Sequence, residues 1–417
     1  MKKIVINGGK KLKGEIVVSG SKNSVVALIP AAILTDEVVE ILNTPLLTDT
    51  KNLNEIVTLL GGNIEFGNGR LSIDGKNIVS NPIPADLSDK LRASYYFMGA
   101  LLARFHRVEI CFPGGCKIGS RPIDLHLMGF RKMGATIIRD GEKYTLIAEN
   151  LHGANIYLDF PSVGATVNII LAATLAEGRT TIENAAKEPE IINLVSLLNN
   201  MGAKISGAGT RTIVIDGVEK LHGGVIETIP DRIEAGTYML IGAMCGEEFT
   251  VSNIIPKHVE TLSSKMRDMG VNFSIGDDYV TFSKSEGLKP VDIKTLVYPG
   301  FPTDLGQPMA VLLTQANGVS NFKETIYEKR NGHFPELVKM GAVIDYTDTT
   351  AKIEGPIEFH GCEVAASDLR AGAALIIAGL AAKGTTKISN IEHILRGYED
   401  LVSKLREVGA DISIVEE

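Results

Sequence analysis

Six segments of the chain carry apolar residues on almost every side of a helix. Their sequences are "NSVVALIPAAIL", "RASYYFMGALLA", "GATVNIILAATLA", "RIEAGTYMLIGAM", "DLGQPMAVLLTQ" and "DLRAGAALIIAGLAA". A helix at a protein surface shows an apolar stripe, whereas a helix that is apolar all round is buried in a core. The pattern therefore predicts six buried helices, spread evenly along the chain.

A second set of helices is amphipathic, and each of them ends in a short phrase that contains glycine. Examples are "EPEIINLVSLLNNMGA" and "GYEDLVSKLREVGA". The phrase recurs at intervals of about 70 residues, which indicates an internal repeat, and its glycines are Gly61, Gly134, Gly202, Gly270, Gly341 and Gly409. Each glycine follows a last helical turn, where a C-cap favours this residue.

Short strand-like runs, joined through glycine-rich turns, complete each repeat. The predicted unit is helix, strand, helix and then three strands. The sixth copy stops after "VGADISIV", and the N-terminal run "IVINGGKKLKGEIVV" supplies the two strands that this copy lacks. We expect an α/β protein built from six repeats, three per domain. The domains would be residues 22–229 and residues 1–21 plus 230–417, with the active site in a cleft between them.

Composition narrows the possible functions. The 417 residues carry a net charge of −8, and aromatic residues are only 6% with no tryptophan, which does not suit stacking on nucleic-acid bases. The N-terminus lacks the apolar core of a signal peptide, and no apolar run approaches the roughly 20 residues of a membrane span. These features predict a cytoplasmic protein with no nucleic-acid or membrane partner.

Four cysteines are present, and Cys116 stands out among them. Cys111, Cys116, Cys245 and Cys362 show neither metal-ligand spacing nor the density of a disulfide framework. Cys116 lies in "FPGGCKIGSRPIDLH", between the cations of Lys117 and Arg121. Either it is a small residue in a turn, or it is a reactive thiol whose pKa the cations and a helix N-terminus lower.

Charged and polar residues recur at the predicted starts of helices. Helix N-termini bind anions, and arginine offers bidentate hydrogen bonds to carboxylate or phosphate, so we expect a compact, strongly anionic ligand. The simpler alternative is that each Asp is an N-cap and each Arg an ion-pair partner at a surface. The residues in this register are Lys22, Asn23, Arg92, Arg121, Ser162, Glu188, Asp231, Arg232, Asp304, Arg330, Asp368, Arg370 and Arg396.

Eight motifs resemble the enolpyruvyl transferase superfamily, and within it the UDP-N-acetylglucosamine 1-carboxyvinyltransferase family, over essentially the whole chain. They are "SGSKNS", "PGGCKIGSRPIDLH", "SVGAT", "ENAAKEPEI", "PDRIEAGT", "FPTDLGQ", "SDLRAGA" and "RGYEDL". The resemblance implies an inside-out α/β barrel in each domain. It also implies transfer of the enolpyruvyl group of phosphoenolpyruvate to the 3-hydroxyl of UDP-N-acetylglucosamine, with release of phosphate. This reaction is the first committed step of peptidoglycan synthesis in the bacterial cytoplasm, on which cell shape and division depend.

The resemblance also implies roles for single residues. Cys116 would be the general acid and would form a covalent adduct, and Asp304 would be the base; Lys22 and Arg396 complete the catalytic set. Phosphoenolpyruvate would be bound by Lys22, Asn23, Arg92, Arg121 and Arg396. UDP-N-acetylglucosamine would be bound by Asn23, Arg92, Arg121, Pro122, Ile123, Asp124, Leu125, Ser162, Val163, Gly164, Asp304 and Ile326. Supporting residues would be Glu188, Asp231, Arg232, Arg330, Asp368 and Arg370. Neither a metal nor an organic cofactor is implied, and the oligomeric state stays open.

Two positions depart from the pattern of some family members, and two other functions remain as alternatives. Phe160 stands where some members have Lys, and Leu395 stands where some have Asp, which puts the substrate contacts there in doubt. The chain could transfer the same group to shikimate 3-phosphate, although the "NAGTA" segment of that branch is absent. It could also be a non-catalytic paralogue that binds the nucleotide sugar, although both Cys116 and Asp304 are present.

Overall fold

A computed structural model describes residues 2–111 and 123–416. These residues form a mixed α/β structure that divides into two compact units. One unit holds the described residues of Met1–Ser19 and Pro230–Glu417 and is called the C-terminal unit below. The other, called the N-terminal unit, holds those of Gly20–Cys116 and Arg121–Ile229. Among the described residues, none of the helices is long and apolar enough to cross a membrane.

The helices and strands alternate along the whole chain. The helices are α1 (Lys22–Ala32), α2 (Thr48–Leu59), α3 (Ala85–Ser88), α4 (Tyr96–Phe105), α5 (Asp124–Lys132), α6 (Val163–Thr174), α7 (Pro189–Asn200), α8 (Arg232–Cys245), α9 (Glu260–Met269), α10 (Gly306–Leu313), α11 (His333–Lys339), α12 (Leu369–Ala381), α13 (Glu392–Leu395) and α14 (Leu401–Glu407). Single 3₁₀ turns span Arg92–Tyr95, Pro256–Val259 and Thr303–Leu305.

The strands are short, and they fall into six small sheets in the described part of the chain. They are β1 (Lys2–Asn7), β2 (Leu12–Val17), β3 (Val38–Leu42), β4 (Asn63–Gly67), β5 (Arg70–Asp74), β6 (Arg107–Cys111), β7 (Thr136–Asp140), β8 (Lys143–Ile147), β9 (Asn155–Tyr157), β10 (Arg179–Glu183), β11 (Lys204–Ser206), β12 (Thr212–Asp216), β13 (Gly224–Glu227), β14 (Gly246–Ser252), β15 (Phe273–Ile275), β16 (Tyr279–Phe282), β17 (Ile293–Lys294), β18 (Gly318–Lys323), β19 (Val343–Tyr346), β20 (Thr350–Gly355), β21 (Glu363–Ala365), β22 (Thr385–Ser389) and β23 (Asp411–Glu416).

The pairing of the N-terminal strands joins the two ends of the chain. β1 lies antiparallel between β22 and β23, with Ile4 opposite Ile388 on one side and Ile414 on the other. β2 runs parallel to β14 in another sheet, as the third strands β9, β13, β17 and β21 of other repeats run parallel to β10, β3, β18 and β22. The prediction that the N-terminal strands complete the last repeat is therefore confirmed for both β1 and β2.

The first repeat departs from the predicted order of elements at its third strand. In its place the structure has a single parallel bridge between Ile83 and Ile110, followed by α3. Pro82 and Pro84 flank Ile83, and proline has no N–H to donate to a strand ladder. The sheet of β6, β8 and β7 therefore has three strands, whereas the other five sheets have four.

The six buried helices are confirmed. α1, α4 and α6 lie in the core of the N-terminal unit, and α8, α10 and α12 lie in the core of the C-terminal unit. The six repeat glycines also take left-handed φ angles between 85° and 104° at the ends of α2, α5, α7, α9, α11 and α14, as the C-cap prediction requires.

A buried hydrogen-bonded cluster of Glu234, Ser19 and Lys404 joins three segments of the C-terminal unit. The Glu234 carboxylate is 2% exposed and accepts hydrogen bonds from Ser19 N–H at 3.2 Å and from Lys404 Nζ at 2.8 Å. Lys404 also donates to Ser19 Oγ at 2.6 Å. Burial raises the pKa of Glu234 to about 7, against the opposing effect of Lys404. The three residues tie the end of β2 to α8 and α14.

Glu234→Gln is expected to change how stability depends on pH. A carboxyl group whose pKa is raised by folding contributes stability that is complete below pH 4.5 and is lost as the pH rises through about 7. Relative to the variant, the wild type should lose up to ~1.4 kcal/mol of unfolding free energy per pH unit in that window. Urea unfolding between pH 4.5 and 8 measures the difference. Parallel profiles would contradict it, and Glu407→Gln on the exposed face of α14 is the control.

Candidate active site

Three predicted site aspartates lie at the starts of the buried helices of the C-terminal unit, but they are bonded differently. Asp231 Oδ1 accepts hydrogen bonds from the N–H groups of Ile233 and Glu234, at 2.8 and 3.0 Å. Asp368 caps α12 in the same way. The simpler N-cap alternative is therefore confirmed for these two residues. Asp304 is different, because it lies in the 3₁₀ turn before α10 and its carboxylate bonds side chains.

Two arginines grip the Asp304 carboxylate. The Arg330 guanidinium lies 2.8 Å from Oδ1, and Arg370 donates to Oδ2 from two nitrogens at 3.0 and 3.2 Å. The arginine side chains are only 6% and 3% exposed, whereas that of Asp304 is 28% exposed. Two buried cations therefore hold an ionised carboxylate in a fixed orientation that still reaches solvent.

A directed chain of hydrogen bonds fixes Arg370 from behind. Arg370 donates to Tyr398 Oη at 3.0 Å, and this hydroxyl lies 2.9 Å from Thr237 Oγ1. Thr237 donates its own proton to a carbonyl of α8, so Tyr398 is the donor in that contact. Burial alone would lower the pKa of Arg370, but Tyr398, Asp304 and Asp231 raise it above its ordinary value. The guanidinium is a permanent, immobile charge.

Arg330 is held by a second chain that leads to Glu324. Arg330 donates to Thr303 Oγ1 at 2.8 Å, and Thr303 donates to Glu324 Oε2 at 2.7 Å. The other oxygen of Glu324 accepts from Thr295 and from the N–H of Ile326, both at 2.7 Å. Glu324 thus connects the predicted site residue Ile326 to Arg330. The sequence analysis missed it, because nothing near it in the chain marks its partners.

In the N-terminal unit, Lys22 is paired with a buried aspartate. Lys22 is the first residue of α1, and its Nζ lies 3.1 Å from Asp49 Oδ2. The side chains are 15% and 1% exposed, so Asp49 orients the ammonium from the protein interior. Ser21 caps α1 by accepting from the N–H of Ser24. Asp49, in the first turn of α2, is a second residue that the sequence analysis missed.

The starts of α4 and α6 are fastened to each other in the N-terminal unit. Asn168 Oδ1 accepts from the N–H of Gly99 at 2.9 Å, and its amide donates to the carbonyl of Tyr95 at 3.1 Å. A Cβ added at Gly99 would lie 2.4 Å from the Asn168 carbonyl oxygen. Glycine is therefore required for this close approach of the two helices.

Arg92 and Ser162 flank that junction. Ser162 caps α6, and a Cβ on the neighbouring Gly164 would lie 2.8 Å from His126 and 2.9 Å from Tyr95 Oη. His126 is fully buried. Burial first, and then the charge of Arg92, lower its pKa to about 3, so the ring is neutral at physiological pH. Gly164, a predicted sugar-binding residue of α6, is thus packed against His126 of α5.

Other predicted residues lie at the starts of helices as expected. Ile123 is the N-cap of α5, and Asp124 and Leu125 are its first two residues. Val163 is the first residue of α6, and Glu188 is the N-cap of α7. Arg232 begins α8, and its guanidinium lies 5.4 Å from the ring of Tyr298. Asn23 follows Lys22 in α1. Phe160 is 44% exposed, whereas Leu395 packs against the core.

The prediction that the last amphipathic helix begins within "HILRGYE", the segment of Arg396, is wrong. Arg396 follows the last residue of α13, and α14 begins only at Leu401. Tyr398 is 2% exposed because it turns into the core to meet Arg370, and Asp400 takes a left-handed φ of 49°. These two residues interrupt the helix, so Arg396 is placed by a turn.

Three predicted residues, Cys116, Arg121 and Pro122, lie outside the described residues. Their assigned roles stay predictions. Within residues 2–111 and 123–416, no group of three or more His, Cys, Asp and Glu side chains is placed to hold a metal ion. The described cysteines Cys111, Cys245 and Cys362 are free thiols.

Comparison with known proteins places the chain in a family. A family model described as EPSP synthase (3-phosphoshikimate 1-carboxyvinyltransferase) matches residues 6–405. A protein of Streptococcus mutans named UDP-N-acetylglucosamine 1-carboxyvinyltransferase 2 is 54% identical over 419 residues, covering 100% of both chains. The protein of that name from Bacillus subtilis is 52% identical, covering 99% of this chain and 96% of its own.

Solved structures agree with these matches. The enolpyruvyl transferase NikO from Streptomyces tendae superposes with a TM-score of 0.90 at 28% identity, over 99% of each chain. EPSP synthase from Acinetobacter baumannii superposes with a TM-score of 0.74 at 18% identity, over 100% of each chain, and shares the fold. The chain therefore belongs to the UDP-N-acetylglucosamine 1-carboxyvinyltransferase family of enolpyruvyl transferases.

Proposed function

We propose that this protein transfers the enolpyruvyl group of phosphoenolpyruvate to the 3-hydroxyl of UDP-N-acetylglucosamine and releases phosphate. The observation that carries the proposal is the 54% identity, over the full length of both chains, to a protein named for this activity. The oriented Asp304 carboxylate supports it, because the reaction needs a base at the sugar hydroxyl.

The chemistry divides between an acid and a base. Cys116 protonates C3 of phosphoenolpyruvate, so that C2 becomes electrophilic. The sugar oxygen attacks C2 while Asp304 accepts the proton of the hydroxyl. The C3 proton is then lost again, the C–O bond to phosphate breaks, and the double bond is restored. Because Asp304 is held by Arg330 and Arg370, it needs little reorganisation when the hydroxyl arrives.

Four cations are proposed to bind phosphoenolpyruvate, which carries a phosphate and a carboxylate. Lys22, Arg92, Arg121 and Arg396 supply them, with Asn23 beside Lys22. The burial of the Lys22–Asp49 pair supports a fixed position for that ammonium. Arginine at the other three positions suits the planar geometry of carboxylate and phosphate oxygens.

The nucleotide sugar is proposed to lie against the starts of α5 and α6. Its binding residues are Arg121, Pro122, Ile123, Asp124, Leu125, Ser162, Val163, Gly164 and Ile326. The Ser162 cap, and the packing of Gly164 on His126, support a rigid platform there. A further set of residues is proposed to hold the binding and catalytic side chains in position. They are Glu188, Asp231, Arg232, Arg330, Asp368 and Arg370.

We also propose the finer architecture that the sequence predicts. Six repeats would form two inside-out barrels, at residues 22–229 and at residues 1–21 plus 230–417. The six left-handed glycines and the six small sheets in the described residues support this arrangement. The reaction would run in the bacterial cytoplasm. The expected cleft and the roles of Cys116, Arg121 and Pro122 stay predictions.

A product assay separates this function from the shikimate alternative, the reaction for which the family model is named. Purified protein is incubated with phosphoenolpyruvate and equal amounts of UDP-N-acetylglucosamine and shikimate 3-phosphate. Mass spectrometry should show the enolpyruvyl adduct of the nucleotide sugar alone. The shikimate adduct would assign the protein to the sister branch, and binding of the sugar without either adduct would indicate a non-catalytic paralogue.

A further inference from the structure

Near Arg330, which holds Asp304, lie buried polar atoms to which the proposed function assigns no role. His333, the first residue of α11, is 0% exposed, and none of the described residues bonds either of its ring nitrogens. Buried imidazole nitrogens in folded proteins are normally bonded to protein or to water. A histidine kept here with no protein partner therefore needs an explanation.

Two other residues carry unmatched polar atoms as well: Arg330, whose charge acts on His333, and Gln307, which bonds the Arg330 carbonyl. Arg330 Nε and Gln307 Oε1 are both buried, and neither has a hydrogen-bond partner in the part of the chain that the structure describes. Gln307 is 1% exposed, and its amide reaches the Arg330 carbonyl at 3.4 Å and Asp368 at 3.2 Å. The set thus offers a charged donor, an amide acceptor and an imidazole that can act as either.

The same set includes the arginine that grips Asp304. Arg330 faces Asp304 with one terminal nitrogen and Thr303 with the other, while its Nε lies on the buried side. Burial first lowers the pKa of His333, to about 3, with Asp368 raising it and Arg330 lowering it. His333 is thus a neutral ring close to both charged groups, and it does not compete with Arg330 for Asp304.

We propose that His333 is a positioning residue, which together with Gln307 and buried water holds the inner edge of Arg330 and thereby orients Asp304. A buried water typically makes two to four hydrogen bonds, and these four atoms supply both donors and acceptors. Arg330 would then be held at its terminal nitrogens by Asp304 and Thr303 and at its Nε by water. A guanidinium held in this way keeps the Asp304 carboxylate ionised and directed towards solvent. The inference rests on the proposed role of Asp304 as the base.

His333→Phe tests the proposal, since phenylalanine keeps the ring that packs 4.0 Å from Phe334 but removes both nitrogens. We expect kcat to fall about 10- to 100-fold, because a base misplaced by an ångström loses about that much. KM for phosphoenolpyruvate should change less than threefold. With Arg330 released, the ionised form of Asp304 is less favoured, so the acidic limb of the pH profile of kcat should move up by about half a unit or more.

Two further variants make the outcome specific. His333→Gln supplies an amide donor and acceptor in place of the imidazole nitrogens. This variant should recover most of kcat, and the acidic limb of its pH profile should lie close to that of the wild type. Phe334→Leu disturbs the same core without touching the polar set, so it should lower Tm and leave the limb in place. The charged groups that act on His333 are Asp368 and Arg330, Asp304 faces Arg330 and Arg370, and Tyr398 and Asp231 also act on Arg370. These groups are the same in all variants.

A crystallographic readout keeps the proposal testable without turnover. Crystals of the wild type should show ordered water within hydrogen-bond distance of His333 and of Arg330 Nε, and in His333→Phe the Arg330 guanidinium should move away from Asp304. An unmoved guanidinium, or an unshifted pH limb in an active His333→Phe enzyme, overturns the inference. A wild type that transfers no enolpyruvyl group overturns the proposed function instead, and the crystals still decide the inference.

Discussion

Asp304→Asn is expected to lower kcat by about 10²- to 10⁴-fold, the usual worth of a general base. The amide cannot accept the proton of the sugar hydroxyl. It also removes the carboxylate that Arg330 and Arg370 bond, while Asp368 and Asp231 still act on these two cations. Steady-state phosphate release at saturating substrates measures the loss.

Loss of activity through unfolding must be separated from loss of the base. Asp304 is 28% exposed at its side chain, so the destabilisation should be small enough to leave a folded protein at 25 °C, with a lowered Tm. Asp345→Asn, which removes an exposed aspartate from β19, is the matched control and should keep full activity. A kcat within fivefold of the wild type in Asp304→Asn would exclude this residue as the base.

Cys116→Ala is the second substitution with a large expected effect. If the thiol protonates C3 of phosphoenolpyruvate, its removal should lower phosphate release by about 10²- to 10⁴-fold. The cations of Lys117 and Arg121 in the same sequence motif favour a thiolate, which reacts with electrophiles. The epoxide fosfomycin should therefore add its mass to the Cys116 peptide of the wild type.

Other cysteines provide the control for this experiment. Burial raises the pKa of Cys245 to about 12, and burial also raises that of Cys362, so the thiolate is disfavoured at both positions. Cys362→Ala should keep full activity and should still be alkylated at Cys116. Full activity of Cys116→Ala would make this cysteine a small residue in a turn.

Local rules in the sequence predicted a large part of the fold. A helix such as α6 is apolar all round, so its burial follows from the sequence of one segment. The C-cap glycines and the caps by Asp231 and Asp368 depend on neighbours within four residues. The repeat predicts a third strand around Ile83, but the prolines on both sides of this residue cannot donate to a strand ladder. The structure therefore has a single bridge there.

The contacts within the candidate site could not be predicted in the same way. Asp304 meets Arg370 across 66 residues, and Lys22 meets Asp49 across 27. Glu324 and Asp49 carry no local signature, so only the folded chain shows that they orient site residues. The interruption before α14 was missed because Tyr398 leaves the helix for a hydrogen bond with Arg370, a distant partner.

The most direct test of the central claim is the rate of phosphate release from phosphoenolpyruvate, measured with and without UDP-N-acetylglucosamine. An enolpyruvyl transferase that uses this acceptor should release phosphate only when the nucleotide sugar is present, and the rate should saturate with it. Release that is unaffected by the nucleotide sugar, or no release at any concentration of it, would contradict the account.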